Sequence, residues 1–237
     1  MKCNQLNWRV ALLLASSIII TACGGGSSDS TNSSIPESAV SYKVTFSSNW
    51  TSTSFPTNYP SNSHFSPLIG MTHNTSASLF QRGSQSSPGV EEVAETGSTN
   101  VIKSEIGDIQ NLGNSQSLIE GGGLPNGQSQ LELTFDIDED FPLVSIITMV
   151  APSPDWFVGV DSLNLYQNGT WVDQVQVDLK VYDSGTDSGV TFGSANSDSS
   201  PKMNIELLTS NISDTDFVDG IHRTTGAYIG TFTFKRQ

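Results

Sequence analysis

Two stretches of the chain combine carboxylates with residues that make sharp turns. Ala151-Pro152-Ser153-Pro154-Asp155-Trp156-Phe157-Val158-Gly159-Val160 follows the apolar run Leu143 to Val150, and Asp183-Ser184-Gly185-Thr186-Asp187-Ser188-Gly189 follows the alternating run Val175 to Val181. Proline offers no N–H to a ladder, so Pro152 and Pro154 stop the first strand and leave Asp155 on a rim loop. Gly185 and Gly189 permit turns with positive φ, which bring Asp183 and Asp187 toward one point. If the two strands run side by side in one direction, or in facing sheets, the three aspartates converge. Hard oxygen donors on loops favour Ca2+, which accepts roughly 6–8 oxygens in flexible geometry, whereas a transition metal asks for His or Cys. The alternative from spacing alone is that these aspartates cap their own turns by accepting nearby amides. An EF-hand is excluded, because the twelfth position counted from Asp183 is Ser194 and not Glu.

Other candidate chemistry is weaker. Asp136, Asp138, Glu139 and Asp140 form the densest acidic run and offer a hydrolase with paired carboxylates, although such a run at a strand end is ordinarily a solvated edge. No Gly-x-Ser-x-Gly elbow occurs. His64 and His73 could ligate a metal with Glu91 or Glu92, but their nine-residue spacing has no mechanistic force and favours hydrogen-bonding roles; His222 beside Arg223 reads as exposed. Trp156 and Phe157 are either an apolar loop tip, as a calcium-dependent lipid binder would need, or core. No catalytic residue is assigned, and an adhesion or binding role is favoured over an enzyme.

The elements that must position these residues are strands. Tyr42, Val44 and Phe46 alternate with polar neighbours, as do Leu131, Leu133, Phe135 and Ile137, then Val175, Val177, Leu179 and Val181, and finally Tyr228 to Phe234, which is the period of a half-buried strand. Leu143 to Val150 is continuous and β-branched, which suits a central strand buried on both faces. Helical signal is confined to short pieces within Val90 to Ala94 and Ser98 to Ile109. Residues 57–89 read as a long irregular excursion, and residues 107–130 as a mobile loop with Gly121-Gly122-Gly123 at its hinge or tip. A single all-β sandwich with long irregular loops follows.

Charge narrows the class of partner. The 237 residues carry 24 acidic and 10 basic side chains, a formal net charge of −14. Nucleic-acid affinity comes mostly from Lys and Arg neutralising phosphates, so a nucleic-acid binder is excluded. Residues 136–219 alone hold 15 acids and two bases, which concentrates the acidity in the half that bears the candidate calcium loops.

The N-terminus reads as an address and an anchor. Lys2 and Arg9 precede an apolar stretch, Val10 to Ala22, whose 13 residues fall short of the ~20 that span a bilayer. Ile20-Thr21-Ala22-Cys23 resembles the bacterial lipoprotein lipobox, which implies cleavage before Cys23, acylation of that cysteine and attachment to a membrane. Residues 1–22 are therefore read as signal peptide, 23–40 as lipidated Cys23 and a Gly/Ser-rich flexible linker, and 41–237 as the folded domain. Gly24, rather than Asp, after the cysteine points by analogy to the outer membrane of a Gram-negative cell. The remaining cysteine, Cys3, leaves with the signal, so the mature chain has no disulfide.

The stretch Ser145 to Val160, with Met149-Val150-Ala151-Pro152-Ser153-Pro154-Asp155-Trp156-Phe157-Val158-Gly159, closely resembles the core motif of the spondin N-terminal domain family. Asp178-Leu179 and Tyr182-Asp183-Ser184-Gly185-Thr186-Asp187-Ser188-Gly189 resemble its second motif, with Ser184 where the family usually has Ala. Phe65 to His73 and Gly83 to Gly97 are similar to its N-terminal half, and the resemblance extends over about Ser41 to Lys235. It implies a C2-like antiparallel β-sandwich with calcium at one end, held by Asp155, Asp183 and Asp187. What transfers is the scaffold and the ion; the leading reading is a surface-tethered adhesion or binding module, with an extracellular protein, a glycan or a neighbouring envelope protein all open as its partner. Animal members carry domain cysteines and thrombospondin repeats that this chain lacks, so their matrix partners do not carry over.

Overall fold

The alternating segments form two antiparallel sheets. The computed structural model describes residues 39–208, 217, 220 and 223–237; the signal segment, Cys23, most of the linker and His222 lie outside these. One sheet has four strands in the order β10 (Gln174–Leu179), β13 (Gly230–Arg236), β1 (Val40–Ser48) and β5 (Gln130–Ile137). The other runs β12 (Glu206–Leu207), β11 (Val181–Asp183), β7 (Trp156–Asn164), β6 (Leu143–Ala151), β3 (Ile69–His73) and β4 (Ser115–Glu120), with β2 (His64–Phe65) also paired to β6. A small hairpin of β8 (Tyr166–Gln167) and β9 (Thr170–Trp171) stands apart. The fold is an all-β sandwich, as the alternation predicts.

Burial explains which patterns appear where. Tyr42, Val44 and Phe46 of β1 and Phe232 and Phe234 of β13 point inward against Val144, Ile146 and Val150 of β6 and Trp156 and Val158 of β7. Every residue of β6 is buried, because its outer face is covered too. There Ile147, with Ile69, Met71 and Phe157, packs against Val90 and Val93 of α1 (Pro88–Thr96) and Ile102 and Ile106 of α2 (Asn100–Asn111). The helices are thus longer than the short pieces expected, and they roof the seven-stranded sheet. Ser87 caps α1 by accepting the Val90 amide, Pro88 opens it, and Gly97 closes it in the left-handed conformation.

Three expectations are corrected. The run Val175 to Val181 is not one strand: β10 ends at Leu179 in the four-stranded sheet, and the chain enters the other sheet as β11 at Val181. Period-2 alternation cannot report this, because inward-facing residues of either sheet obey the same pattern. Residues 57–89 are no mere excursion, since Ile69–His73 is a fully buried strand between β4 and β6. Gly70 allows it, because a Cβ there would lie 2.0 Å from the Ser145 carbonyl oxygen of the neighbouring strand. Residues 107–130 contain the end of α2 and all of β4. Gly121 and Gly123 are packing positions, where a Cβ would meet Leu133 Cδ2 at 2.6 Å and the Phe65 carbonyl oxygen at 2.8 Å.

Candidate functional site

Strand direction brings the two aspartate loops together. β6 and β11 both pair antiparallel with β7 and flank it, so they run in the same direction and end at the same rim. Asp183, the last residue of β11, stands opposite Trp156, the first of β7, and Asp155 immediately precedes it. The turn before Asp155 is held by Ser153, whose Oγ accepts the Trp156 amide at 3.1 Å.

Asp155 is completely buried. Its Oδ2 accepts hydrogen bonds from the Thr186 amide (2.8 Å), the Asp187 amide (3.0 Å) and the Thr186 hydroxyl (3.3 Å), while its backbone carbonyl accepts the Ser184 amide (3.1 Å). Its Oδ1 is buried without a hydrogen-bond partner. Such an atom carries a desolvation cost of about 1–3 kcal/mol, and more when charged. Burial, and then the nearby Asp183 carboxylate, push the Asp155 carboxyl up to about 7, against the lowering effect of the Asp187 and Thr186 hydrogen bonds.

Asp183 Oδ1 accepts the Gly185 amide (2.7 Å); Asp187 Oδ1 accepts the Gly189 amide (2.6 Å) and its Oδ2 the Ser197 amide (2.6 Å). The turn-capping reading is therefore correct for Asp183 and Asp187, which accept the amides two residues on, whereas Asp155 spans to the other loop, where the two loops meet. Gly185 has φ +76°, and a Cβ there would lie 2.5 Å from the Met203 carbonyl oxygen. Gly189 does not need positive φ; it is small because a Cβ would come within 2.6 Å of Pro154 Cγ, where the two loops touch. Ser184 is fully buried, and its Oγ meets Ser86 Oγ at 2.6 Å, which ties the loop to the segment leading into α1.

The donors are hard oxygens, one of them buried and orphaned and facing a second carboxylate's field, which suits a hard cation. Asp155 and Asp183 are the pair whose repulsion such an ion would relieve. Asp187 has both oxygens engaged by amides. Among the described residues no three His, Cys, Asp or Glu side chains stand as a ready ligand cluster, so backbone oxygens and water would have to complete a shell.

Glu95, on α1, belongs to the same neighbourhood. Burial raises its carboxyl, a hydrogen bond with the Thr186 side chain lowers it, and the carboxylates of Glu91, Asp155 and Asp198 raise it further. Asp198 reaches the loop through a backbone bridge with Asp187. Sequence reading missed Glu95, Thr186 and Asp198. The spacing of Glu91 and Glu95, four residues apart and hence on one helical face, is the one signal that was available.

The remaining candidates resolve into structural roles. His73 is fully buried, with Nδ1 on the Asn74 carbonyl (2.8 Å) and Nε2 on Ser145 Oγ (2.8 Å), whereas His64 is exposed. Glu91 is paired with Lys202, and Glu92 accepts the Val101 amide at 2.8 Å, so no histidine–glutamate metal site forms. In the acidic run, Asp138 Oδ1 caps a turn by accepting the Asp140 and Phe141 amides at 3.0 and 3.1 Å. Trp156 and Phe157 are both fully buried, which removes the apolar loop tip. No helix among the described residues is long and apolar enough to cross a membrane.

An antiparallel sandwich with an acidic rim, roofed on one sheet by two helices, is the class that fold and site define. Residues 40–219 match the family model Spondin_N, and the chain belongs to that family. It is 34% identical over 172 residues to Spondin-2 of Rattus norvegicus, covering 71% of this chain and 52% of that protein. Spondin-1 of Rattus norvegicus is 34% identical over 175 residues, 71% of this chain and 22% of that protein, and Spondin-1 of Xenopus laevis is 36% identical over the same length. The chain thus spans about half the length of the Spondin-2 relatives and a smaller share of the Spondin-1 relatives.

Proposed function

We propose that this spondin-family domain is a calcium-dependent, non-enzymatic adhesion or binding module, anchored through acylated Cys23 in the envelope of a Gram-negative bacterium. The observation that carries the calcium reading is the buried, unpartnered Oδ1 of Asp155 beside the Asp183 carboxylate. In this reading Asp155 and Asp183, with Asp187 across the loop, hold the ion. The ion supplies positive charge that neutralises the repulsion and fixes the β6–β7 turn against the 183–189 loop. The role is structural: it sets the shape and charge of one rim, to which an extracellular protein or glycan would bind. A site of the millimolar class expected of extracellular modules gains about 1.4 kcal/mol at tenfold saturation.

Isothermal titration of the EDTA-stripped domain with CaCl2 tests the ion: heat that is absent in Asp155→Ala supports the site, and no heat in the wild type sinks it. Palmitate labelling of cells, lost in Cys23→Ala, tests the anchor, and protease shaving of intact cells tells whether the domain faces outward.

A further inference from the structure

The switch of the chain between sheets at Lys180 leaves part of β7 without a second neighbouring strand among the described residues. β11 pairs with β7 only at Trp156, Phe157 and Val158, opposite Asp183, Tyr182 and Val181. N-terminal to Val181 the chain belongs to β10, whose ladder is with β13 in the other sheet. From Gly159 to Asn164, β7 is therefore laddered to β6 on one side only, among the described residues. A cleft of about 440 Å3 lies beside this edge, lined by Val160 and Leu163 of β7, Val177 and Asp178 of β10, Lys180 between β10 and β11, and Tyr182 of β11. The free edge is interrupted by a bulge at Asp161 and Ser162, the latter at φ +56°, and on either side of it an added strand gains main-chain hydrogen bonds from the edge and side-chain pockets from the walls of the cleft.

The lining charges select the guest. Asp161 turns at a bulge in the β6–β7 register and is spent internally: its Oδ1 accepts Ser145 Oγ (3.0 Å) and the Leu79 and Phe80 amides (2.6 and 3.2 Å). Asp178 and Lys180 are both exposed, two residues apart, and line the cleft. A strand that continues the β11 register runs antiparallel to β7 and in the same direction as β10. Its residue facing Asp178 then precedes the residue facing Lys180.

We propose that the open edge of β7, Gly159 to Asn164, docks an extended segment of a partner protein, added as an antiparallel strand. That segment has apolar side chains at alternate positions and a basic residue two positions before an acidic one. The surface lies on the body of the sandwich and is separate from the aspartate rim, so it stands whether or not calcium binds there.

The test uses fluorescein-labelled octapeptides of alternating valine and threonine, with Lys two positions before Glu or in the reverse order. They are titrated by anisotropy against the full chain in CaCl2 and in EDTA. The Lys-first peptide is expected to bind at least tenfold tighter. The double variant Asp178→Lys with Lys180→Glu should invert that preference, and N-methylation of alternate peptide amides should abolish binding. Amide exchange should slow within residues 159–164 when the peptide is bound. Binding by neither peptide, equal binding of both orders, or binding that survives N-methylation would overturn the proposal. So would a dimer in sedimentation that the double variant dissolves, because it puts a second copy in the slot. Loss of peptide binding alongside an intact calcium titration sinks only this inference.

Discussion

Asp155 Oδ2 and the amide of Thr186, 31 residues further on, are joined by a 2.8 Å hydrogen bond between the loops that extend from the paired strands β7 and β11. A carboxylate that accepts the Thr186 and Asp187 amides on one oxygen and nothing on the other is a clamp with one jaw empty. The clamp holds the loops together, and the empty oxygen makes that hold sensitive to proton and cation alike.

The first prediction is a pH dependence of unusual sign. The native carboxyl of Asp155 is pushed up to about 7 from its ordinary value of 3.8, because burial and Asp183 disfavour its charge. Between about pH 4 and 7 the native state therefore binds more protons than the unfolded state, and stability falls as pH rises through that window. The full cost, present above pH 7, is on the order of 4 kcal/mol. Calcium, which favours the ionised form, should flatten the fall. Thermal melts in EDTA and in CaCl2 from pH 4.5 to 8.5 read this directly, and a calcium effect that does not grow with pH would refute it.

Asp155→Asn is expected to stabilise the calcium-free protein at pH 8. The amide oxygen can keep the Thr186 and Asp187 bonds, and the NH2 group replaces the orphan oxygen beside the Asp183 carboxylate, removing the repulsion. We expect a gain of about 1–3 kcal/mol in denaturant titrations in EDTA, and no further gain from calcium. A variant that loses stability in EDTA would mean that the buried charge is already compensated.

Much of this site was legible in sequence, and the part that was not has a physical reason. Asp155, Asp183 and Asp187 stand out because proline and glycine around them leave few backbone options, and turn chemistry is local. Glu95 and Asp198 did not stand out, because they reach the site through the packing of α1 on the seven-stranded sheet and through a bridge to Asp187. Beyond the four-residue spacing of Glu91 and Glu95, which marks a helical face but not what it packs on, neither contact leaves a trace. The same holds for the fold: β1, β5, β6 and β13 were plain from alternation or apolar runs. The break at Lys180 was invisible, because changing sheets preserves the period. β3 was masked by Gly70, whose absent side chain is what admits the close approach of β6.

Ser145→Ala tests the buried network around His73, the residue for which the sequence favours a hydrogen-bonding role. Ser145 Oγ accepts the Ser162 amide at 2.8 Å, meets His73 Nε2 at 2.8 Å and donates to Asp161 Oδ1 at 3.0 Å. Removing the hydroxyl strips a partner from three groups at once on β3 and β7. The expected loss is about 2–4 kcal/mol by urea denaturation, several times that of an exposed serine. A loss below about 0.5 kcal/mol would show that water replaces the hydroxyl and that the network adds little.

The lipid reading can be tried on Phe157 and on residues that are exposed near the same rim. Phe157 is fully buried, with its ring stacked on Tyr182 at 5.4 Å and edge-on to Phe80 at 5.0 Å, so it meets the α1–α2 layer and not solvent. Phe157→Leu should cost about 1–2 kcal/mol through lost aromatic packing yet leave vesicle association unchanged. Val190 and Met203 are the apolar side chains exposed beside the loop, at 52% and 63%. Val190→Ser with Met203→Ser should leave stability within about 0.5 kcal/mol, since surface changes away from special features rarely exceed that. Co-sedimentation with anionic vesicles in calcium and in EDTA then separates the possibilities. Association that falls in the double variant but not in Phe157→Leu would assign lipid contact to the rim, whereas no association in any of the three proteins confines the rim to soluble partners.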